Sequence, residues 1–402
     1  MERAVTFQTY VRSLFQPVTY RSLTRFFLLV SILTIIFSTS ITQATAVLAA
    51  LVAIIGSFAS RTNRFRMSPA LYPILAFAAA RLLAIIFSEH IDLSVHALRM
   101  EIFFYSVAVM IFNEFDELDV LFVVRFLFIA GVLAALYGIF GYTTGMHNRA
   151  MSTTAGYYTL GMFLCAVLPV SIPFGERKDV FPRAWLWYAG TAVMLFGLLL
   201  TFNRLHWVAA GAALTIGALL FNRKLLIPIG IGAAAALIFF PEIIDRFVTL
   251  FNVGEHMSDR DVLWKGASML VGDHPVLGFG LRTFPAIFPL MHEVADKGVG
   301  SWHNDFLQVY MESGLLGILA YLGSFGGFIY YGIRTVKLLP PDSQYRSIAA
   351  GIALSSISFL IGGFIIDPHI LMLFLTLYGA LAVLHRYAAS HNVQKEPGKT
   401  PA

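Results

Sequence analysis

One cysteine stands in the whole chain, Cys165, and it lies inside an apolar run. No intrachain disulfide can form, and the residue gives no reading of the redox compartment. Charge is also scarce: 28 Lys and Arg and 23 Asp and Glu among 402 residues make 13%, against 58% hydrophobic residues. A soluble domain carries about twice that share of charge, so the composition argues against one, and the mean hydropathy of +0.75 agrees. Several motifs are missing as well. There is no G-x-x-x-x-G-K-[ST] to cradle nucleotide phosphates and no H-E-x-x-H to hold zinc, and the 11 histidines lack metal-ligand spacing. ATP as an energy source is therefore not indicated, which leaves activated substrates or ion gradients. No repeat of 20–50 residues and no low-complexity tract is present, and the polar tail HNVQKEPGKTPA reads as disordered.

What the chain has in abundance is apolar runs. A spanning helix needs about 20 mostly apolar residues, and such runs fall near 24–40, 43–60, 69–88, 95–113, 119–141, 155–174, 184–202, 205–221, 224–240, 313–333, 346–365 and 367–386. The expectation is an all-α polytopic membrane protein with about twelve transmembrane helices. Arg3, Arg12, Arg21 and Arg25 precede the first run, which lacks a small-residue cleavage site and reads as a retained helix. With the N-terminus in the cytoplasm, the loops RTNRFRMS, GERKDVFPR, FNRK and RTVKLLPPDSQYR are cytoplasmic, and eighteen of the 28 Lys and Arg lie inside. That bias sets the orientation, although the acidic turn NEFDELD at 113–119 then also lies inside. The net charge of +5 is thus a matter of membrane orientation rather than nucleic-acid binding. The domain reading follows: 1–240 holds spans one to nine, 241–302 a large external loop, 303–386 spans ten to twelve, and 387–402 a cytoplasmic tail. A structureless loop of that length is improbable. EIIDRFVTLFNV is amphipathic and SDRDVLWKGASMLVGDH helical in pattern, so the loop reads as a small helical cap.

Three external features could carry chemistry. The first is GSWHNDFLQVYMESG, where Ser301 reads as a helix N-cap and His303 as the second helical residue. A helix N-terminus disfavours the imidazolium, so His303 would stay neutral and could accept a proton from a hydroxyl. Asn304, Gln308 and Glu312 recur every fourth residue as one polar stripe, with His303, Leu307 and Tyr310 beside it. An interfacial histidine at the start of an amphipathic helix fits equally. The second is the short turn TFNRLHW, which places Arg204 at or just below the external surface. A guanidinium there suits phosphate or pyrophosphate, or snorkels to lipid headgroups. The third is the large loop. Asp259 and Asp261 flank Arg260 as a D-x-D, which reads more simply as helix capping and ion pairing than as a metal site. Arg149, in HNRAMSTTAGYY, and Arg282, in GFGLRTF, are further external cations. GFG lacks the strand–turn–helix setting of a dinucleotide fingerprint.

HNDFLQVYMESGLLGILAYL resembles the signature of the O-antigen ligase superfamily, roughly H-N-x-x-L-Q-x-x-x-E-x-G-x-x-G. RDVLWKGASMLVGDHPVLGFGLRTF is similar to the same superfamily's large-loop pattern, and TFNRLHW to its arginine turn, which more often reads Ser-Arg where this chain has Asn203–Arg204. The likeness runs from about Leu200 to Tyr331; the N-terminal half shares only topology and hydropathy. The resemblance implies a C-type glycosyltransferase-like fold, His303 as catalytic base, and Arg204 and Arg260 as pyrophosphate binders; Asn304, Glu312, Arg149 and Arg282, on the same face, are candidate supporting residues. It further implies no metal and no cofactor. The donor would be O-antigen on undecaprenyl pyrophosphate and the acceptor lipid A–core oligosaccharide, met at the periplasmic face of a bacterial inner membrane.

Other readings stay open. An O-antigen or exopolysaccharide polymerase of the same superfamily would carry the same signature. A metal-dependent membrane glycosyltransferase would use an acidic pair, for which SEHIDLS offers Glu89 and Asp92. A transporter of lipid-linked glycans would show internal repeats and broken helices near the bilayer midplane.

Overall fold

The computed structural model describes residues 17–60, 65–154, 156–172, 183–221, 260–294 and 299–395, with the single positions 10, 12, 223, 226, 230 and 234. Among these residues the fold is all-helical, with no strand beyond one isolated bridge between Ser152 and Gly156. The main helices are α1 (Tyr20–Thr34), α2 (Thr39–Ala59), α3 (Tyr72–Ile86), α4 (Tyr105–Glu114), α5 (Glu117–Thr143) and α6 (Gly156–Ser171). They continue as α7 (Ala184–Leu199), α8 (Arg204–Phe221), α9 (Arg260–Leu270), α10 (Asp305–Leu338), α11 (Gln344–Gly362) and α12 (Pro368–Lys395). Among the described residues eight helical segments are long and apolar enough to cross a membrane, and α6 and α7 are shorter apolar helices. The chain is a multi-pass membrane protein.

Helix α12 forms the centre, with 89% of its apolar window buried. A helix that is apolar on every side is stable only when other helices surround it; α4, α5, α10 and α11 do so. Helix α10 packs on α3, α11 lies between α6 and α8, and α1 and α2 form a hairpin. The outward side chains are apolar too: Leu51, Ile54, Phe58, Phe140, Leu220 and Leu319 are all exposed. In water such a surface would drive aggregation; against lipid it is the matched face.

The two ends of the bundle differ. At one end the turn between α4 and α5 gathers arginines. Arg25 pairs with Asp116 and Asp119, and its Nε donates to the Glu114 carbonyl at 2.8 Å. Arg386 donates to the carbonyls of Phe112 and Phe115 at 2.5 and 2.7 Å. The acidic run NEFDELD, which runs against the charge bias, is therefore the counter-ion of basic residues at its own end. Tyr10 adds a 2.6 Å bond to Asp119.

At the other end six connections interlock. Thr153 donates to the Phe37 carbonyl at 2.9 Å, Ala150 N to Leu200 O at 2.8 Å, and Ser88 to Phe279 O at 2.8 Å. Thr39 meets His369 at 2.9 Å, Thr159 bonds Asp367, and Asp305 accepts from Phe364 N and Ile365 N at 2.5 and 2.8 Å. All the sequence features singled out for chemistry fall at this end. Over it lies a second hydrophobic cluster. Leu263 and Ala267 of α9 pack with Phe284, Phe288, Trp302, Leu307 and Met311. The helix expected in SDRDVLWKGASMLVGDH is thus present as α9, whereas EIIDRFVTLFNV and the ninth run, 224–240, lie almost wholly outside the described residues.

Several boundaries differ from the sequence-based expectation. The first run ends at Thr34 rather than near residue 40, because Ser38 caps α2 by accepting from Ile41 N. The run 95–113 is not one helix. It breaks at Glu101 (φ −139°, ψ −61°), with His96–Met100 before the break and a 3₁₀ turn and α4 after it, and the Glu101 carboxylate meets Arg81. The tail is not disordered from residue 391: α12 runs on to Lys395, and the Tyr387 ring packs against His391 and Tyr345.

Candidate functional site

The site begins with a break in α10. At Gly314 the backbone leaves helical space (φ 60°, ψ −158°), a region open essentially to glycine alone. The helix therefore leaves carbonyls and N–H groups unpaired on both sides of the break, and the segment from Pro275 to Gly280 supplies their partners. Leu315 N donates to Pro275 O at 2.8 Å and Leu316 N to Val276 O at 3.1 Å. In return Phe279 N and Gly280 N donate to Met311 O and Glu312 O at 2.8 and 3.0 Å. A Cβ on Gly314 would overlap the Val276 carbonyl. Below His303 the structure has a short helix, Asp305 to Ser313, set off from a long one.

The N-cap of that short helix is Asn304, whose Oδ1 accepts from Leu307 N at 3.0 Å. The expectation that Ser301 caps the helix is corrected, and His303 stands just outside it rather than in its first turn. The physical reason lies with the neighbours. Trp302 is 1% exposed, wedged edge-on against Phe284 and Phe288 at 4.9 and 5.5 Å, and its backbone N–H donates to Gln308 Oε1 at 2.9 Å. With Trp302 buried on one side and Asn304 capping on the other, His303 takes a left-handed backbone, φ 50°. The residue is exposed, and among the described residues its ring has no hydrogen-bond partner. Burial by the protein around it, and then the charge of Arg260, hold the imidazole below its ordinary value of 6.5. The lowering thus comes from desolvation and a neighbouring cation rather than from a helix terminus.

The expected polar stripe is present. Gln308 Nε2 donates to Glu312 Oε1 at 2.6 Å, and the same oxygen accepts from Arg282 N at 2.7 Å. Glu312 Oε2 lies 2.8 Å from Arg81 Nη2, and Arg81 makes a two-pronged pair with Glu101 at 2.6 and 2.7 Å. A buried guanidinium is tolerable only when matched in this way. The chain Glu101–Arg81–Glu312–Gln308–Trp302 N ends on the residue before His303. Asp305, buried, fixes the other side by accepting from the backbone beyond Gly363 and from Tyr321 Oη at 3.2 Å.

Arg260 is the first residue of α9 and exposed, and its charge reaches His303. Arg282 is exposed with φ 62°; what meets Glu312 is its backbone N–H. Arg204 opens α8, half-buried, one residue after Asn203 and two after Phe202, whose φ is 51°. Its turn is tied to the loop that carries Arg149, whose guanidinium stacks 4.4 Å over Tyr157. Arg204 and His303 share the same end of the bundle through intermediaries: His206 packs on Tyr158 at 4.9 Å, and Tyr158 donates to Gly362 O at 2.9 Å, beside the turn that holds Asp305. Of the D-x-D, Asp259 lies outside the described residues and Asp261 is exposed. Glu89 lies 3.5 Å from His274.

Phe202, Arg282 and His303 are the three non-glycine residues with positive φ among the described residues. Such positions cost of order 1–3 kcal/mol each and gather where geometry is used. Here each falls within one of the three segments picked out by sequence. Sequence reasoning missed Arg81, Glu101 and Asp305. An arginine inside an apolar run was the available signal for the first, since such residues default to function; Glu101 and Asp305 carried no signal of their own.

No curated protein matches the chain. The model of the O-antigen ligase family matches residues 189–322, which take in the arginine turn, Arg260, the Arg282 segment and the His303 helix start, and over these residues the chain resembles the O-antigen ligase superfamily.

Proposed function

We propose that the chain is an O-antigen ligase of a bacterial inner membrane, with its termini in the cytoplasm and the His303 end in the periplasm. It transfers O-antigen from undecaprenyl pyrophosphate to lipid A–core oligosaccharide. The observation that carries this reading is His303 on a left-handed backbone fixed by Trp302 and Asn304, within reach of the charge of Arg260, at the end where Arg204 also sits. The polyprenyl chain lies along the apolar exterior, and its pyrophosphate is held by Arg204 and Arg260. A hydroxyl of the acceptor sugar hydrogen-bonds to His303. As the hydroxyl oxygen bonds to the anomeric carbon, His303 takes its proton. The bond from that carbon to pyrophosphate breaks, and undecaprenyl pyrophosphate leaves with the electron pair. One displacement inverts the anomeric centre. Negative charge grows on the leaving group, and arginines fixed in a low-dielectric site stabilise it. Pyrophosphate leaves without being protonated, so one base suffices, unlike the carboxylate pair of glycoside hydrolysis. Asn304 and Glu312 hold the base in place, and Arg149 and Arg282 extend the cationic lining.

Purified protein given lipid-linked O-antigen and lipid A–core should convert the core to a capped product. His303→Ala should fold, bind the donor and transfer nothing. Normal transfer by His303→Ala would refute the assignment, and elongation of the lipid-linked glycan with the core untouched would make the protein a polymerase.

A further inference from the structure

Gly300 and Ser301, just before His303, line a cavity of about 340 Å³, the size range of small-molecule sites. Its polar wall is Arg81, His96, Glu101, Arg282, Gln308 and Glu312, and Ser301, two residues before His303, lies on its edge. Two features of this wall narrow the ligand. First, Arg81 is already matched by two carboxylates, at 2.6 and 2.8 Å, so among the Arg, Asp and Glu side chains of the wall no positive charge is in excess. A pyrophosphate in the cavity would face Glu101 and Glu312, and like charges at such range repel. Second, Arg81 Nη1 is buried without a hydrogen-bond partner, while carboxylate and amide oxygens stand nearby. Hydroxyl groups answer both needs, since each can accept from a guanidinium and donate to a carboxylate or amide oxygen. Leu93, Pro285 and Leu371 supply apolar wall for the faces of a sugar ring.

We infer that this cavity is a saccharide subsite that seats an uncharged ring of the acceptor and brings a neighbouring hydroxyl to His303. The inference rests on the transfer reading for its role, though not for its existence. The anionic donor stays with Arg204 and Arg260, so the two substrates occupy separate surfaces that meet at His303.

The test fills the cavity from two walls with Leu93→Trp and, separately, Pro285→Trp, and titrates each purified protein with lipid-free core oligosaccharide in a calorimeter. Both variants should bind it at least tenfold more weakly than the parent, and in the transfer assay the acceptor KM should rise at least tenfold with the donor KM unchanged. Thermal unfolding checks that each variant is folded, and the pair guards against loss of one. Parental oligosaccharide binding in either folded variant would overturn the subsite, as would displacement of the oligosaccharide by inorganic pyrophosphate. If the parent binds oligosaccharide and both variants lose it, yet no protein transfers glycan, the subsite stands and the transfer reading falls.

Discussion

Gly314→Ala tests whether the broken helix is a requirement of the fold. The variant can respond in two ways. If the break persists, the introduced alanine must hold φ 60° and ψ −158°, at a cost of order 1–3 kcal/mol, with its Cβ against the Val276 carbonyl. If the helix straightens, Leu315 and Leu316 regain intrahelical partners, but Phe279 N and Gly280 N lose Met311 O and Glu312 O. Two backbone bonds are then lost in balance, at about 1 kcal/mol each. Both routes give a loss of about 2 kcal/mol. Straightening also withdraws Glu312 from Arg282 N, so transfer should fall more than stability does. The control is Gly323→Ala in the same helix, where a Cβ meets nothing within 4 Å; there the gain in helix propensity is about 0.5–1 kcal/mol. Thermal unfolding in detergent and the transfer assay read both variants. Equal stability and activity for Gly314→Ala and Gly323→Ala would refute the argument.

Three further outcomes follow from the site. As a base, His303 must be neutral, so activity rises with pH through its pKa, which burial and Arg260 hold below 6.5. Arg260→Gln removes the second cause, so the acid limb of kcat/KM should move to higher pH in addition to any loss of donor binding; an unmoved limb would show that Arg260 does not act on the base. Arg204→Lys keeps the charge but loses the planar fork, and should cost about tenfold to a hundredfold in transfer; an unchanged rate would return Arg204 to headgroup anchoring. Glu312→Ala leaves Arg81 buried with Glu101 alone and frees Gln308, and should destabilise by about 3–5 kcal/mol as read by thermal unfolding. A loss under about 1 kcal/mol would mean that Glu101 suffices for the guanidinium.

Much of the fold was legible because a bilayer imposes a simple rule: a long apolar run must be a helix, since no water is present to satisfy its backbone. That rule finds α5 and α12 without ambiguity. It fails where a polar partner rewrites the backbone. Glu101 interrupts its run because Arg81, twenty residues earlier, holds its carboxylate; no local pattern announces that pairing. Gly314 is hidden for a related reason. A glycine inside a helical pattern is ordinarily tolerated at modest cost, and only the docked segment Pro275–Gly280 shows that this one ends a helix.

The site divides in the same way. Arg204, Arg282 and His303 could be placed on one face by counting spans, but nothing in their residue types says that their segments hold left-handed backbone. Strain of that kind survives only where neighbours over-determine it. Around His303 the determinants are Trp302, set edge-on against the stacked pair Phe284 and Phe288 and bonded to Gln308, and Asn304, capping the helix that follows. Around Arg282 they are Leu281, buried with its carbonyl held by Ser94, and Glu312 on the Arg282 N–H. Around Phe202 they are Tyr142 at 5.7 Å and Thr201, whose hydroxyl accepts from Asn203 N. The Asn, Gln, Glu and Gly that follow His303 at fixed spacing therefore do more than decorate a polar face. They clamp the left-handed backbone on which the His303 imidazole stands.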